Sequence, residues 1–325
     1  MTGVLKAPFP WFGGKSRVAH LVWDRFGDVR NYVEPFFGSG AVLLARPMPF
    51  DGPETINDKD GFVANFWRAI QHAPSEVAKW ADHPVNENDL HARNVWLRGI
   101  RPDFQAKVEG DPHFFDAKVA GWWVWGMCAA IGHSFSAKGP WGVVDGKLTK
   151  VGDGQGVTRA IVHLGGRQGV QRQIVNIGDD GQDLCAWFDS LANRLRRVRV
   201  TSGDWARVCT PAVTSAQAPC GVFLDPPYSD QADRDSNVYA SDDLSVAHDV
   251  RDWAIEHGRD PRYRIALCGY DGEHQMPDDW HVVEWKASGG YSRSGKGQTR
   301  GKVNCHRERI WFSPHCRPPT QASLF

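Results

Sequence analysis

Tyr32-Val33-Glu34-Pro35-Phe36-Phe37-Gly38-Ser39-Gly40 leads directly into Ala41-Val42-Leu43-Leu44-Ala45. The spacing predicts a strand over 29–33, a glycine-rich turn, and a helix over 41–45. In an open parallel sheet such a turn lies at the carboxyl end of a strand, where ligands bind. Glycine at 38 and 40 lets a ligand approach the backbone closely. Taken alone, the pattern fits an ordinary strand–turn–helix equally well, because short glycine motifs recur by chance.

The same alternation continues along the chain. Thr55-Ile56-Asn57-Asp58 ends a second strand, and Phe62, Phe66, Ala69 and Ile70 recur behind it at helical spacing. A helix over 184–195 presents Leu184, Trp187, Phe188, Leu191 and Leu195. Strands at 198–201 and 222–224 follow, then a helix near 246–256 and strands at 263–268, 280–285 and 309–312. Alternating strands and helices predict a doubly wound, mostly parallel α/β sheet of Rossmann-like type. Each strand–helix unit needs roughly 30 residues, so about 100 residues between Gly40 and Asp225 are surplus. They map to 73–180, which holds Gly121-Trp122-Trp123-Val124-Trp125-Gly126 and then a glycine-rich stretch from 139 to 181. The expected organisation is one catalytic domain from 1–72 plus 181–325, interrupted by an inserted region at 73–180.

The apolar run Gly221-Val222-Phe223-Leu224 ends in Asp225-Pro226-Pro227-Tyr228. Two prolines cannot continue a sheet, so the chain turns sharply there. A carboxylate, a backbone carbonyl and a flat ring meet at that turn. A planar base bearing an amino group needs that set: acceptors for its N–H groups and a surface to stack on. The lone pair of such an amine is delocalised into the ring. Hydrogen bonds to Asp225 and to the Pro226 carbonyl would draw the nitrogen toward tetrahedral geometry and stabilise the charge that develops on it. The plainer reading, a Pro-Pro turn capped by Asp225, explains the tetrapeptide alone but not its place beside the glycine turn.

Four pieces in this order resemble the Dam-type (D12 class) adenine-N6 DNA methyltransferases. Pro10-Trp11-Phe12-Gly13-Gly14-Lys15 is similar to the family's W-x-G-G-K segment, and Glu34–Gly40 to its E-P-F-x-G-x-G motif. Ile56-Asn57-Asp58 stands where an acid closes the second strand, and Asp225–Tyr228 matches the D-P-P-Y tetrapeptide. The resemblance covers roughly 8–70 and 182–313. It implies S-adenosylmethionine as methyl donor, no metal, and transfer to N6 of an adenine flipped out of double-stranded DNA. It places Trp11, Lys15, Glu34, Phe36, Gly38, Gly40 and Asp225 along the cofactor. Asp225, Pro226, Pro227 and Tyr228 become the catalytic residues, with Tyr228 stacked on the base. Asp58, about 20 residues after the glycine turn, is positioned for ribose hydroxyls, with Asp60 a near competitor. Asp204, in Thr201-Ser202-Gly203-Asp204-Trp205, would accept from the cofactor's adenine amino group, although Gly-Asp is also common turn chemistry. The insert becomes the target-recognition region. Cytosine N4, RNA adenine and a glutamine amide are alternative acceptors for the same fold, and Asp rather than Ser or Asn at 225 favours DNA adenine. A catalytically silent DNA-binding module is the alternative from another class.

Composition narrows the remaining classes. Lys plus Arg equal Asp plus Glu at 38 each, so any nucleic-acid contact rests on a local patch. Seven cysteines without a C-x-x-C pair predict neither a disulfide framework nor a standard zinc site. Cys305-His306 and His315-Cys316 read as scattered side chains rather than a ligand quartet. Gly13-Gly14-Lys15-Ser16 mimics the end of a phosphate loop, but position 9 is Phe where that loop needs glycine. No apolar signal segment opens the chain, so a cytoplasmic location is expected. Lys286, Arg293, Lys296, Arg300, Lys302, Arg307 and Arg309 meet only Glu308 between 286 and 309, among five glycines. The segment reads as a phosphate-holding loop, with Arg293, Lys296, Arg300 and Lys302 as DNA-binding candidates, against the plainer reading of a solvated loop. Neutralising Arg293, Lys296 and Arg300 together should weaken binding to all DNA sequences alike. It should flatten log K against log[salt] by up to about three units, read from titrations on two unrelated duplexes.

Overall fold

The computed structural model describes residues 5–11, 13–130, 135–136, 141–151, 184–228, 245–286 and 306–319. After α1 (Ala19–Phe26) come β1 (Asn31–Glu34), α2 (Ala41–Leu44), β2 (Glu54–Asp58) and α3 (Gly61–His72). Helices α4 (Pro74–Ala81), α5 (Glu87–Gly110) and α6 (Ala117–Ala129) precede a hairpin of β3 (Trp141–Val144) and β4 (Lys147–Lys150). Then follow α7 (Leu184–Leu195), β5 (Val198–Ser202), β6 (Cys220–Leu224), α8 (Val246–Gly258), β7 (Tyr263–Tyr270), β8 (His281–Glu284) and β9 (Glu308–Phe312).

Seven strands form one sheet in the order β5-β2-β1-β6-β7-β9-β8. The first five pair in parallel, and β9 runs antiparallel between β7 and β8. This is the mostly parallel, Rossmann-like α/β fold that the sequence predicts. Its order reverses between β1 and β6. Every residue of these two strands is buried, as expected for central parallel strands covered on both faces.

Successive strand residues feed two different cores, because side chains alternate across a sheet. Tyr32, Ile56, Phe223, Ala266 and Ile310 join one cluster with α1, α2, α3 and α7. Val33, Val222, Ile265 and Trp311 join the other, beneath Val250 and Ala254 of α8. Helices α5 and α6 are not marked by hydrophobic periodicity, for two physical reasons. Helix α6 is apolar all round and packs against α3, α4 and α5, so it has no polar face to set a period. Helix α5 is mostly polar and carries Pro102 in its interior. No helix among the described residues is long and apolar enough to cross a membrane.

One buried ion cluster ties the start of β2 to its surroundings. Glu54 is 2 % exposed. It accepts from Arg46 at 3.0 Å and from Arg194 at 2.7 and 2.8 Å. The same arginines donate to the Val29 and Leu43 carbonyls. Removing one partner of such a cluster leaves buried charge uncompensated. Glu54→Ala should therefore destabilise the protein by about 3–5 kcal/mol, measured as a lower urea midpoint in equilibrium unfolding.

Candidate active site

Strands β1, β2, β5 and β6 end at one edge of the sheet, and a cleft opens where the order reverses. Trp11, Phe36, Gly38, Asp58, Asp204 and Asp225 are among the residues on its wall. The register explains the meeting. Val33 of β1 lies opposite Val222 of β6 and Thr55 of β2, so Glu34, Asp58 and Asp225 leave their strands within a few residues of one line.

The glycine turn is built around two left-handed residues. Gly38 has φ +47, and a Cβ there would collide with Trp11 Nε1, so the indole rests directly on the turn. Gly40, at φ +71, caps α2, and a Cβ there would strike the Phe37 ring at 2.6 Å. Gly38, Ser39 and Ala41 reach the cleft wall, while Gly40 turns the chain behind them. The Gly38 N–H donates to Asp58 Oδ2 at 2.9 Å, and the Asp60 N–H donates to Asp58 Oδ1 at 2.9 Å. Burial, aided by the charge of Asp60, outweighs these amide bonds and pushes the Asp58 carboxyl up to about 7. Asp60 has other duties: it caps α3 through the Phe62 N–H at 2.9 Å and pairs with Arg101 at 3.0 Å. Glu34 is 2 % exposed and accepts from the Tyr32 hydroxyl at 2.6 Å and from the Leu43 N–H. Burial holds it well above the usual carboxylate range. On the far wall Asp204 accepts from the Ala206 N–H at 2.9 Å, and Trp205 lies near-parallel to Phe36 with ring centres 6.4 Å apart.

The end of β6 forms the opposite wall. Lys15 is 4 % exposed, and its ammonium meets both Asp225 oxygens at 2.8 Å, the Gly13 carbonyl at 2.8 Å and the Tyr228 hydroxyl at 3.3 Å. Its centre lies 5.7 Å from both the Tyr228 and the Trp285 rings. Burial alone would lower the Lys15 pKa, but Asp225, Cys268 and Glu308 outweigh it and raise it. The Cys268 thiol also hydrogen-bonds Asp225. Burial raises the Asp225 carboxyl, and Lys15 pulls it part of the way back. The Tyr228 hydroxyl donates to Glu308 Oε2 at 2.7 Å, and its ring meets Tyr270 edge-on at 4.5 Å.

Residues 11–98 match the model of the D12 class N6 adenine-specific DNA methyltransferase family. That span carries Trp11, Lys15, the glycine turn and Asp58, and it ends inside α5. Asp225–Tyr228 lies beyond it. No curated protein matches the chain. The D12 match suggests DNA adenine methylation, with DNA as substrate and S-adenosylmethionine as the implied methyl donor.

Lys15, expected along a cofactor, also grips the carboxylate at the end of β6. Sequence reasoning missed Cys268 and Glu308, which neighbour Asp225 and Tyr228. Glu308 is the only acid among seven cations between 286 and 309, a pattern that says nothing of where β9 carries it. Arg293, Lys296, Arg300 and Lys302 lie outside the described residues. Asp58 yields a pH test that needs no ligand. Its folded-state value of about 7 exceeds the ordinary 3.8, so the folded form holds the extra proton between those limits. Stability should then fall as pH rises through that window. Asp58→Asn cannot ionise, so relative to wild type it should gain about 1–3 kcal/mol between pH 4 and 8. Denaturant unfolding of both proteins at several pH values checks this; parallel profiles would return Asp58 to an ordinary carboxyl.

Proposed function

We propose that this chain is a site-specific enzyme that methylates N6 of adenine in double-stranded DNA, using S-adenosylmethionine. One observation carries the reading: Asp225 and Pro227 of the Asp225–Tyr228 turn and the Gly38 turn face one cleft, in a chain whose residues 11–98 match the D12 family. The residues present fit the donor. Asp58 has acceptor capacity beyond its two amide bonds for ribose hydroxyls, and Phe36 and Trp205 offer aromatic faces to an adenine ring. Trp11, Gly38 and Asp204 complete that wall. Glu34 holds the strand end to α2 through the Leu43 N–H. When bound, the donor supplies an electrophilic methyl group on a sulfonium.

Asp225 is the acceptor for the target amine. A carboxylate has about four lone-pair sites. Lys15 and Cys268 occupy part of that capacity, and the Asp225 side chain keeps 18 % exposure toward the cleft. The Pro226 carbonyl is the second acceptor and the Tyr228 ring the stacking surface. An adenine in a duplex reaches this turn only by flipping out of the stack. On the same reading, 1–72 plus 181–325 is the catalytic domain and 73–180 selects the target, because the sheet edge is committed to donor and base. Phosphate contacts fall to Arg293, Lys296, Arg300 and Lys302.

The test is transfer of labelled methyl to DNA, followed by nucleoside analysis. N6-methyladenine is the expected product; N4-methylcytosine would move the reading to the cytosine alternative. Asp225→Ala should lose about 100-fold or more in rate, the scale of removing one preorganised hydrogen-bond partner of a developing charge. It should keep at least part of its affinity for S-adenosylmethionine. A wild-type rate in Asp225→Ala would remove Asp225 from the chemistry.

A further inference from the structure

We infer that the turn after α1 is a binding site for a phosphate-type oxyanion, held by the guanidiniums of Arg25, Arg264 and Arg317 at the sheet edge opposite the cleft. None of these residues reaches the cleft wall, so the site stands apart from the methyl-transfer reading.

Register brings the arginines to one place. Cys220 of β6 lies opposite Tyr263 of β7, so Arg264 stands at the start of a strand whose parallel neighbour runs toward Asp225. Phe312, at the end of antiparallel β9, pairs with His281 at the start of β8. The last turn of α1 comes to the same edge and carries Arg25, which is 3 % exposed. Arg264 donates to the Phe26 carbonyl and, at 3.3 Å, to the Asp28 carbonyl. The Arg317 N–H donates to the Arg25 carbonyl at 2.7 Å. The Arg317 guanidinium lies against Gly27, where a Cβ would collide with its Nε and Cζ. Three arginines from three separate elements therefore meet four consecutive residues, 25–28.

Capping explains part of this arrangement. The last carbonyls of a helix lack intrahelical partners and favour cations, so Arg264 and the Arg317 N–H close the end of α1. Capping does not account for Arg25. Its guanidinium lies 4.8 Å from the centre of the Phe312 ring, and its Nε and Nη1 are buried without a hydrogen-bond partner. A guanidinium carries five N–H donors and stays charged. Burying it without an acceptor or a counter-charge is costly.

The surroundings do not supply that counter-charge. Among the described residues no ion pair joins Arg25, Arg264 or Arg317 to a carboxylate, and Asp28 acts on Arg264 only at longer range. Burial pushes the Cys316 thiol beside them up to about 11, so it brings no negative charge. The cations bear on one another instead. Burial and then the Arg317 charge hold Arg264 below the ordinary guanidinium range. Partial burial and then the Arg25 charge do the same to the His281 imidazole. An oxyanion supplies both missing parts, negative charge and acceptors for forked N–H donors. Donors from three elements call for oxygens on several sides, which a tetrahedral phosphate has and a planar carboxylate lacks.

The test uses the full chain with inorganic phosphate, ribose 5-phosphate, and chloride at matched ionic strength. Phosphate should raise the thermal unfolding midpoint along a saturating curve, and chloride should not. Arginine Nε–H resonances report the contact directly. The Arg25 signal, assigned by its loss in Arg25→Lys, should move with phosphate and stay in place with chloride. Arg317→Ala removes an exposed side chain and should weaken phosphate binding about tenfold or more, the scale of one charge-assisted hydrogen bond. Ribose 5-phosphate that binds as phosphate does would make the ligand a phosphate ester; binding of phosphate alone would make it the free ion, and both results keep the site. A midpoint that follows ionic strength alone would overturn it. So would an Arg25 signal that phosphate leaves unmoved, or an Arg317→Ala protein that binds phosphate as tightly as the wild type.

Discussion

The parallel pairing of β1 with strands on both sides is the constraint on which the cleft depends. Parallel neighbours end at the same edge, so β1, β2, β5 and β6 deliver their following turns together. After β1 and β2 the chain passes to the face covered by α2 and α3, and after β6 it passes to α8 on the other face. The two paths diverge and leave a crevice between them. Register decides which side chains face it. A one-residue slip of β6 against β1 would send Val222 and Phe223 into each other's cores, so core packing also holds the site's geometry.

The acids at this edge differ from the structural acid at the other end of β2. Glu54 is bound by two guanidiniums that cancel its charge. Glu34 and Asp58 are held by a hydroxyl and by backbone N–H groups, whose dipoles stabilise a carboxylate without neutralising it. Glu308 has a phenol. Asp225 alone has a direct ammonium partner, and Lys15 is shared with Tyr228. Burial with such partners lifts these carboxyls above their ordinary range. Ionising them inside the fold costs stability, and a cluster of groups under that strain at a sheet edge marks a functional site better than any single motif.

Most of the sheet was legible because its signals are local. Strands such as 222–224 and 263–268 are apolar runs bounded by turns, and α3 and α7 are amphipathic enough to show a helical period. The turns at Gly38 and Pro226 carry their own punctuation. Helix α6 was not legible as a helix because burial on every side erases its period, and Pro102 obscures α5. The site divided along the same line. Asp58 and Asp225 could be read from strand ends. The Lys15–Asp225 contact joins residues 210 apart, and Tyr228–Glu308 joins residues 80 apart. Only the antiparallel return of β9 beside β7 brings Glu308 there, and no local pattern encodes it.

Charge at the cleft also constrains what can bind. Glu34, Asp58, Asp60, Asp204 and Asp225 reach its wall beside two lysines: buried Lys15, whose three N–H groups are all engaged, and exposed Lys59. A nucleotide phosphate would meet several acids and no uncommitted buried donor of positive charge, a poor exchange for its hydration. A cationic ligand meets the opposite field. It would favour the ionised forms of carboxyls that burial keeps raised, so its binding and the release of their protons would be linked. The glycine turn alone fits either ligand, because it only lets something come close. On the proposed reading, the acids around it favour a sulfonium over a dinucleotide, because they outnumber the two lysines on the wall.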